Sequence, residues 1–63
     1  MDKKIRLLII EDNLQLNEMM TKFFSTKSDV EVVGSCSNPL EAAALIKEVN
    51  PDALIMDMIM PEA

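Results

Sequence analysis

The acidic residue Asp57 occurs inside an apolar run, ALIMDMIMP, at positions 53–61. A carboxylate in such a stretch is costly to bury, so it needs a partner, a metal ion or an opening to solvent. A second acidic pair, Glu11-Asp12, directly follows another apolar run at positions 5–10. Two strand-like runs that are each followed or interrupted by acid predict a cation site at one edge of a parallel sheet.

The residue types available in the chain restrict which cation such a site could hold. Three carboxylates brought close together repel one another, and a bound divalent cation relieves that repulsion. An all-oxygen donor set favours Mg²⁺, with Mn²⁺ as an alternative, over zinc. The sequence has no His and one Cys, which excludes the common zinc sites and an intrachain disulfide. Its single glycine excludes a glycine-rich phosphate loop.

Length and charge narrow the class of protein further. The 63 residues have room for one small domain, expected to span positions 1–63. A net charge of −5 and a pI near 4.4 argue against nucleic acid as the direct ligand and suit a cation or a basic partner surface. No apolar run is long enough for a membrane span and no signal peptide is visible, so the cytoplasm is the expected compartment.

The pattern of apolar residues predicts three strands and two helices in alternation, β-α-β-α-β, in an α/β domain. Continuous rather than alternating apolarity at 5–10 is typical of a strand covered on both faces. Asp12 or Asn13 can cap the first helix, and Asn38 with Pro39 marks the start of the second. The strands are expected at about 5–10, 30–34 and 53–59, and the helices at about 14–26 and 39–49.

Helical spacing also predicts which side of each helix faces the sheet. In the first helix, Asn17 and Thr21 fall on the predicted solvent side. The predicted inward residues of that helix are Leu16, Met19, Met20, Phe23 and Phe24. Those of the second are Leu40, Ala43 and Ile46, with Ala42 and Val49 beside them.

The combination of IIEDN at 9–13 with LIMDMIMP at 54–61 resembles the receiver domain of two-component response regulators. The spacing between the acidic pair and Asp57, the Asp-x-x-Met-Pro ending and Pro51-Asp52 together carry the resemblance. It implies half of a flavodoxin-like fold, with a three-stranded parallel sheet in the order 2-1-3 and the site at the carboxyl ends of strands 1 and 3. A finer resemblance, to regulators of sporulation initiation, rests on VEVVG at 30–34 and DMIMP at 57–61.

The resemblance implies a role for each acidic residue. Asp57 would be the nucleophile that accepts a phosphoryl group, and it would also be a metal ligand. Asp12 would bind Mg²⁺ directly, Glu11 directly or through water, and the backbone carbonyl of Ile59 would supply another ligand. The phosphodonor would be a sensor histidine kinase or a histidine phosphotransfer protein. The chain would then assist its own phosphorylation rather than act as an enzyme, and an output domain outside it would be DNA-binding.

The same resemblance implies a hydroxyl residue, a switch aromatic and a lysine on later strands, which positions 1–63 do not include. The chain is therefore expected to be an incomplete receiver that is inactive by itself. One alternative is an assembly or domain-swapped unit that forms a dimer or higher oligomer through an exposed third strand. Another is a simple acidic metal-binding module without phosphotransfer.

Overall fold

Three strands and two helices alternate along the chain in the computed structural model, which describes residues 3–56. The strands form one parallel sheet in which the first strand of the chain is central and the second and third lie at its two edges. This arrangement confirms the predicted α/β class and strand order. Residues 57–59 of the predicted third strand lie outside the described residues. The elements are β1 (Ile5–Ile10), α1 (Leu14–Ser25), β2 (Val30–Cys36), α2 (Pro39–Val49) and β3 (Ala53–Met56).

The central strand β1 supplies most of the buried core. Leu8, Ile9 and Ile10 are fully buried, and Leu7 is nearly so. A strand with neighbours on both edges and helices over the sheet has no solvent face, which explains the continuous apolarity of its sequence. Its last residue, Ile10, pairs with Cys36 of β2 and with Met56 of β3. The carboxyl ends of the described strands are therefore level around the end of β1.

β2 is longer than predicted, because Ser35 and Cys36 continue the strand by pairing with Ile9 and Ile10. Pairing with a buried neighbour overrides the weak strand preference of glycine and serine in this segment. The register shifts by one residue between Val32 and Gly34, which pair with Leu7 and Leu8. A Cβ atom at Gly34 would lie 3.1 Å from Leu8 Cδ1, so glycine permits the close approach of β2 to the core.

The predicted inward face of α1 is partly wrong. Asn17, expected at the surface, is 8% exposed, whereas Met19 and Phe23, expected inside, are 65% and 54% exposed. The residues that turn toward the sheet also follow helical spacing, and include a polar pair: Asn17, Met20, Thr21 and Phe24. The helix is rotated so that the Asn17 amide donates to backbone carbonyls at the end of the sheet. Pairing these buried carbonyls outweighs burial of the largest number of apolar side chains.

α2 packs on the sheet through a stripe that matches the predicted one in part, at Ala42, Ile46 and Val49. Its inward residues are Ala42, Leu45, Ile46 and Val49, which contact the cluster around Leu8 and Cys36. The predicted inward residues Leu40 and Ala43 are instead exposed, Leu40 by 88%. The buried stripe follows the i, i+3, i+4, i+7 spacing from Ala42 to Val49, the last residue of the helix. A stripe of this length gives the helix a continuous apolar contact with the sheet, and this contact sets the rotation of α2.

The end of α2 is joined to the start of β1. Asn50 ends the helix in the left-handed conformation, with φ of 50°, and its N–H donates to the Ile46 carbonyl at 2.8 Å. The Arg6 side chain donates to the Asn50 carbonyl at 2.6 Å, and the Arg6 N–H donates to an Asp52 carboxylate oxygen at 2.9 Å. These bonds position the amino end of β3. No helix in the described range is long and apolar enough to cross a bilayer.

The burial of β1 predicts an asymmetric response to truncation of two leucines. Leu8→Ala should lower the free energy of unfolding by about 2–5 kcal/mol, because it leaves a cavity in the centre of the sheet. The matched variant Leu40→Ala removes an 88% exposed side chain and should change stability by no more than about 0.5 kcal/mol. Urea unfolding followed by circular dichroism measures both values. Equal losses in the two variants would contradict the described core.

Candidate cation site at the carboxyl end of the sheet

Glu11 is the residue that directly follows β1, and it is 3% exposed. Its N–H donates to the Cys36 carbonyl at 2.9 Å, and its own carbonyl accepts from the Asn17 amide at 3.2 Å. Its carboxylate oxygen Oε2 accepts from the Asn13 N–H at 3.0 Å. The backbone on both sides of Glu11 and one of its carboxylate oxygens are thus fixed by hydrogen bonds.

The other carboxylate oxygen, Glu11 Oε1, is buried and has no hydrogen-bond partner within the described residues. Buried polar atoms are normally paired, and a buried carboxylate oxygen without a donor is strongly disfavoured. A cation beside Oε1 would satisfy it. The donor chemistry of the acidic pair therefore fits a hard divalent cation such as Mg²⁺.

The start of α1 leaves the neighbouring carboxylate of Asp12 available. Asn13 is the N-cap, and its side-chain oxygen accepts from the Leu16 N–H at 3.0 Å. Of the two caps that the sequence allowed, the structure therefore has Asn13. Asp12 is exposed and stands beside the buried Glu11. The pair presents one buried and one solvent-facing carboxylate at the same strand end.

The remaining predicted ligands, Asp57 and the Ile59 carbonyl, lie outside the described residues, so the complete ligand set stays a prediction. Met56 pairs with Ile10, and Asp57 and Glu11 are the residues that follow this pair in sequence. Within residues 3–56, no three His, Cys, Asp or Glu side chains are grouped as a metal site. Two of the three predicted carboxylates, those of Glu11 and Asp12, fall in that range.

Asn17 is a site residue that the sequence-based interpretation missed. Its side-chain amide donates to the Glu11 carbonyl, directly after β1, and to the Cys36 carbonyl, at the end of β2. A signal was present in the sequence, since Asn17, Met20 and Phe24 keep helical spacing just as well as the wholly apolar set does. A helix that starts immediately after a buried strand end needs donors for the carbonyls there, and Asn supplies two N–H groups.

A concave surface between β2 and α2 is a poorer candidate for a cation site. It is a groove of about 330 Å³. Its two carboxylates, Glu41 and Glu48, are exposed, and the Cys36 thiol on its wall already donates to the Asn38 carbonyl at 3.0 Å. The unpaired buried oxygen of Glu11 therefore makes the edge beside β1 the better candidate site. The groove is lined by Ser35, Cys36, Glu41, Ala44, Leu45 and Glu48.

Comparison with known families identifies the family to which the chain belongs. The family model described as the response regulator receiver domain matches residues 7–63, which is most of the chain. The chain belongs to the response regulator receiver domain family. The match includes the acidic pair after β1 and the segment around Asp57, so the resemblance inferred from the sequence is confirmed.

Curated relatives of this receiver domain carry the name protein-glutamate methylesterase/protein-glutamine glutaminase. The protein from Cupriavidus pinatubonensis is 40% identical over 58 residues, which is 92% of this chain and 16% of that relative. The protein from Nitrosomonas europaea is 37% identical over 60 residues, 95% of this chain and 17% of that relative. A third, from Burkholderia pseudomallei, is 39% identical over 61 residues, 97% of this chain and 17% of that relative.

The receiver domain thus spans about a sixth of the length of these relatives. Their names describe methylesterases and glutaminases. The finer resemblance to regulators of sporulation initiation draws no support from those names and stays a prediction.

The cap of α1 gives a test of how the helix start supports the acidic pair. Asn13→Ala should lower the free energy of unfolding by about 1 kcal/mol, since the first-turn N–H of Leu16 loses its acceptor. Asn38→Ala removes the equivalent cap of α2 and should cost about the same. Only Asn13→Ala should also shift the amide resonances of Glu11 and Asp12 in nitrogen–proton NMR spectra. Unchanged stability in Asn13→Ala would contradict the described helix start.

Proposed function

We propose that this receiver domain accepts a phosphoryl group on Asp57 in a Mg²⁺-dependent reaction. The observation that carries the proposal is the unpaired, buried Oε1 of Glu11 beside the end of β1. Membership in the receiver family supports it, because the match extends through Asp57. The strand register supports it as well, since Glu11 and Asp57 follow a directly paired couple of residues, Ile10 and Met56.

Glu11 and Asp12 would hold the cation, with Asp57 and the carbonyl of Ile59 as the further ligands. The buried carboxylate is already fixed through Oε2 by the Asn13 N–H, so its second oxygen is presented in a defined direction. The exposed carboxylate of Asp12 adds a second negative charge on the solvent side. When bound, the cation neutralises oxygen charge on the entering phosphoryl group.

The protein's own chemical step is an attack by one Asp57 carboxylate oxygen on phosphorus. The bond that forms is the P–O bond of an acyl phosphate, and the bond that breaks is the P–N bond of a phosphohistidine donor. The leaving imidazole takes up a proton to become neutral histidine. Most of the acceleration in such transfers comes from positioning and charge neutralisation, which suits an acidic strand edge that is fixed in advance.

The proposed donor is a sensor histidine kinase or a histidine phosphotransfer protein, and the proposed role of the chain is that of a phosphoacceptor rather than an enzyme with its own external substrate. The relatives are named as methylesterases and glutaminases, so we propose that phosphorylation of Asp57 regulates an activity located elsewhere in the complete protein. Those names lend no support to the predicted DNA-binding output domain.

The alternative functions are less favoured. The family match supports a receiver over an unrelated metal-binding module or a dedicated assembly unit. In the described part of the chain β3 pairs only with β1, and its Leu54 and Met56 are 41% and 49% exposed. Self-association along this strand therefore stays a prediction, separate from the phosphoacceptor role.

Two aspartates that flank the same strand provide the test. The complete protein that contains this receiver domain is incubated with Mg²⁺ and acetyl phosphate, and the phosphoryl group is detected by intact mass spectrometry. The unaltered protein and Asp52→Asn should both gain one phosphoryl group, because Asp52 precedes β3 and contacts Arg6 at the opposite end of the sheet. Asp57→Asn should gain none, and chelation of the metal should abolish labelling in every variant.

Circular dichroism of Asp57→Asn and Asp52→Asn confirms that both are folded under the conditions of the assay. Labelling that persists unchanged in Asp57→Asn would refute the assignment of the phosphoacceptor. Labelling that persists at full rate after chelation would refute the metal requirement while leaving Asp57 in place.

A further inference from the structure

Asn17 is, with Glu11, one of two polar residues buried in the described part of the chain. It lies on α1, one turn after the N-cap. Its side-chain nitrogen Nδ2 lies 3.2 Å from the Glu11 carbonyl oxygen and 3.1 Å from the Cys36 carbonyl oxygen. A single amide group therefore joins the helix to the carboxyl ends of two neighbouring strands.

Both carbonyls that Asn17 binds involve the backbone of Glu11: one is the Glu11 carbonyl, and the other accepts the Glu11 N–H. The Cys36 carbonyl accepts both the Glu11 N–H, at 2.9 Å, and the Asn17 amide. The Glu11 carbonyl accepts the same amide. The backbone of Glu11 is thereby fixed through its N–H on one side and its carbonyl on the other, while the Asn13 N–H holds carboxylate oxygen Oε2 at 3.0 Å.

We propose that Asn17 is a positioning residue for the cation site. Its amide fixes the backbone at Glu11 so that Oε1 is held in the cation-binding position before the cation arrives. This inference rests on the proposed function, because it assumes that Glu11 and Asp12 bind a divalent cation. It goes beyond that function because it assigns control of the site's metal affinity to a residue on α1 that does not bind the metal.

The chemistry of the side chain explains why asparagine suits this position. The Glu11 carbonyl accepts one N–H of the amide and the Cys36 carbonyl accepts the other as its second donor, and the amide brings no further charge next to the acidic pair. Leucine has a similar size and no donor. Groups that orient metal ligands without touching the metal typically control affinity by about 10- to 100-fold, so loss of this amide should be visible in metal binding as well as in stability.

Thr21 offers a matched control on the same helix. Its hydroxyl donates to the Asn17 backbone carbonyl at 2.8 Å and makes no bond to the strand ends. Thr21→Val keeps the shape of the side chain and removes one partly buried hydrogen bond of α1. It therefore perturbs the helix without removing the amide that joins α1 to β1 and β2.

The test is calorimetric titration of the full chain with Mg²⁺, at a temperature where circular dichroism shows each variant to be folded. Asn17→Leu, which removes the donor at similar side-chain size, and Asn17→Ala, which removes both the donor and side-chain volume, should each raise the Kd for Mg²⁺ about tenfold or more. Thr21→Val should change it by less than about twofold. A purely structural role for Asn17 would lower stability and leave the Kd of the folded protein unchanged.

A measurement without metal separates failure of this inference from failure of the proposed function. Hydrogen exchange of the Glu11 amide should be faster in both Asn17 variants than in Thr21→Val, because its acceptor, the Cys36 carbonyl, is no longer fixed by the amide. If the unaltered chain shows no saturable Mg²⁺ binding, the proposed function is overturned and this inference with it. If it binds and the Asn17 variants bind equally tightly, or the Glu11 amide exchanges no faster in them, the positioning role alone is overturned.

Discussion

The hydrogen bonds around the backbone of Glu11 connect three elements, β1, β2 and α1, at the candidate cation site. β1 ends there, β2 contributes the Cys36 carbonyl, and α1 contributes the Asn17 amide. A buried carbonyl or N–H without a partner costs about 1–3 kcal/mol, so these groups must meet in nearly this way for the helix to lie on the sheet. The rotation of α1, and with it the exposure of Met19 and Phe23, follows from that constraint.

The same constraint has a consequence for electrostatics. Fixing the backbone at Glu11 places a carboxylate in the interior, where one oxygen is paired with the Asn13 N–H and the other is unpaired among the described residues. A sequence selected for stability alone would place an apolar or amide side chain here, because an unpaired buried charge is destabilising. Retaining an acid at this position is typical of a functional site, in which local stability is lower until a ligand binds. Asp12 beside it, exposed and not used as the helix cap, supports the same interpretation.

Features that depend on local sequence were predictable, and those that depend on long-range pairing were less so. The start of α2 at Asn38-Pro39 and its end near Asn50 follow from residues that act on their own backbone. The end of β2 was predicted too early, because Ser35 joins the strand only through pairing with Ile9. The inward face of α1 was predicted wrongly in part, because the spacing of apolar residues takes no account of the hydrogen bonds that Asn17 could make.

The acidic pair shows the same division. The acidic pair after one apolar run and Asp57 in another led to the prediction of a cation site at the sheet edge, and that site stays a prediction. That Glu11 is buried and Asp12 exposed could not be predicted, because it depends on how the chain turns from β1 into α1. The role of Asn17 also required the positions of two carbonyls from different strands.

The central claim is that a divalent cation binds at Glu11 Oε1, the carboxylate oxygen that has no hydrogen-bond partner among the described residues. The most direct measurement is a crystal structure of the protein grown with Mn²⁺ in place of Mg²⁺, with the ion located by its anomalous scattering. An ion beside Glu11 Oε1, bound directly at about 2 Å or through one water molecule, is the predicted result. An ion bound elsewhere, or a Glu11 carboxylate with both oxygens paired to protein donors and no ion nearby, would contradict the account.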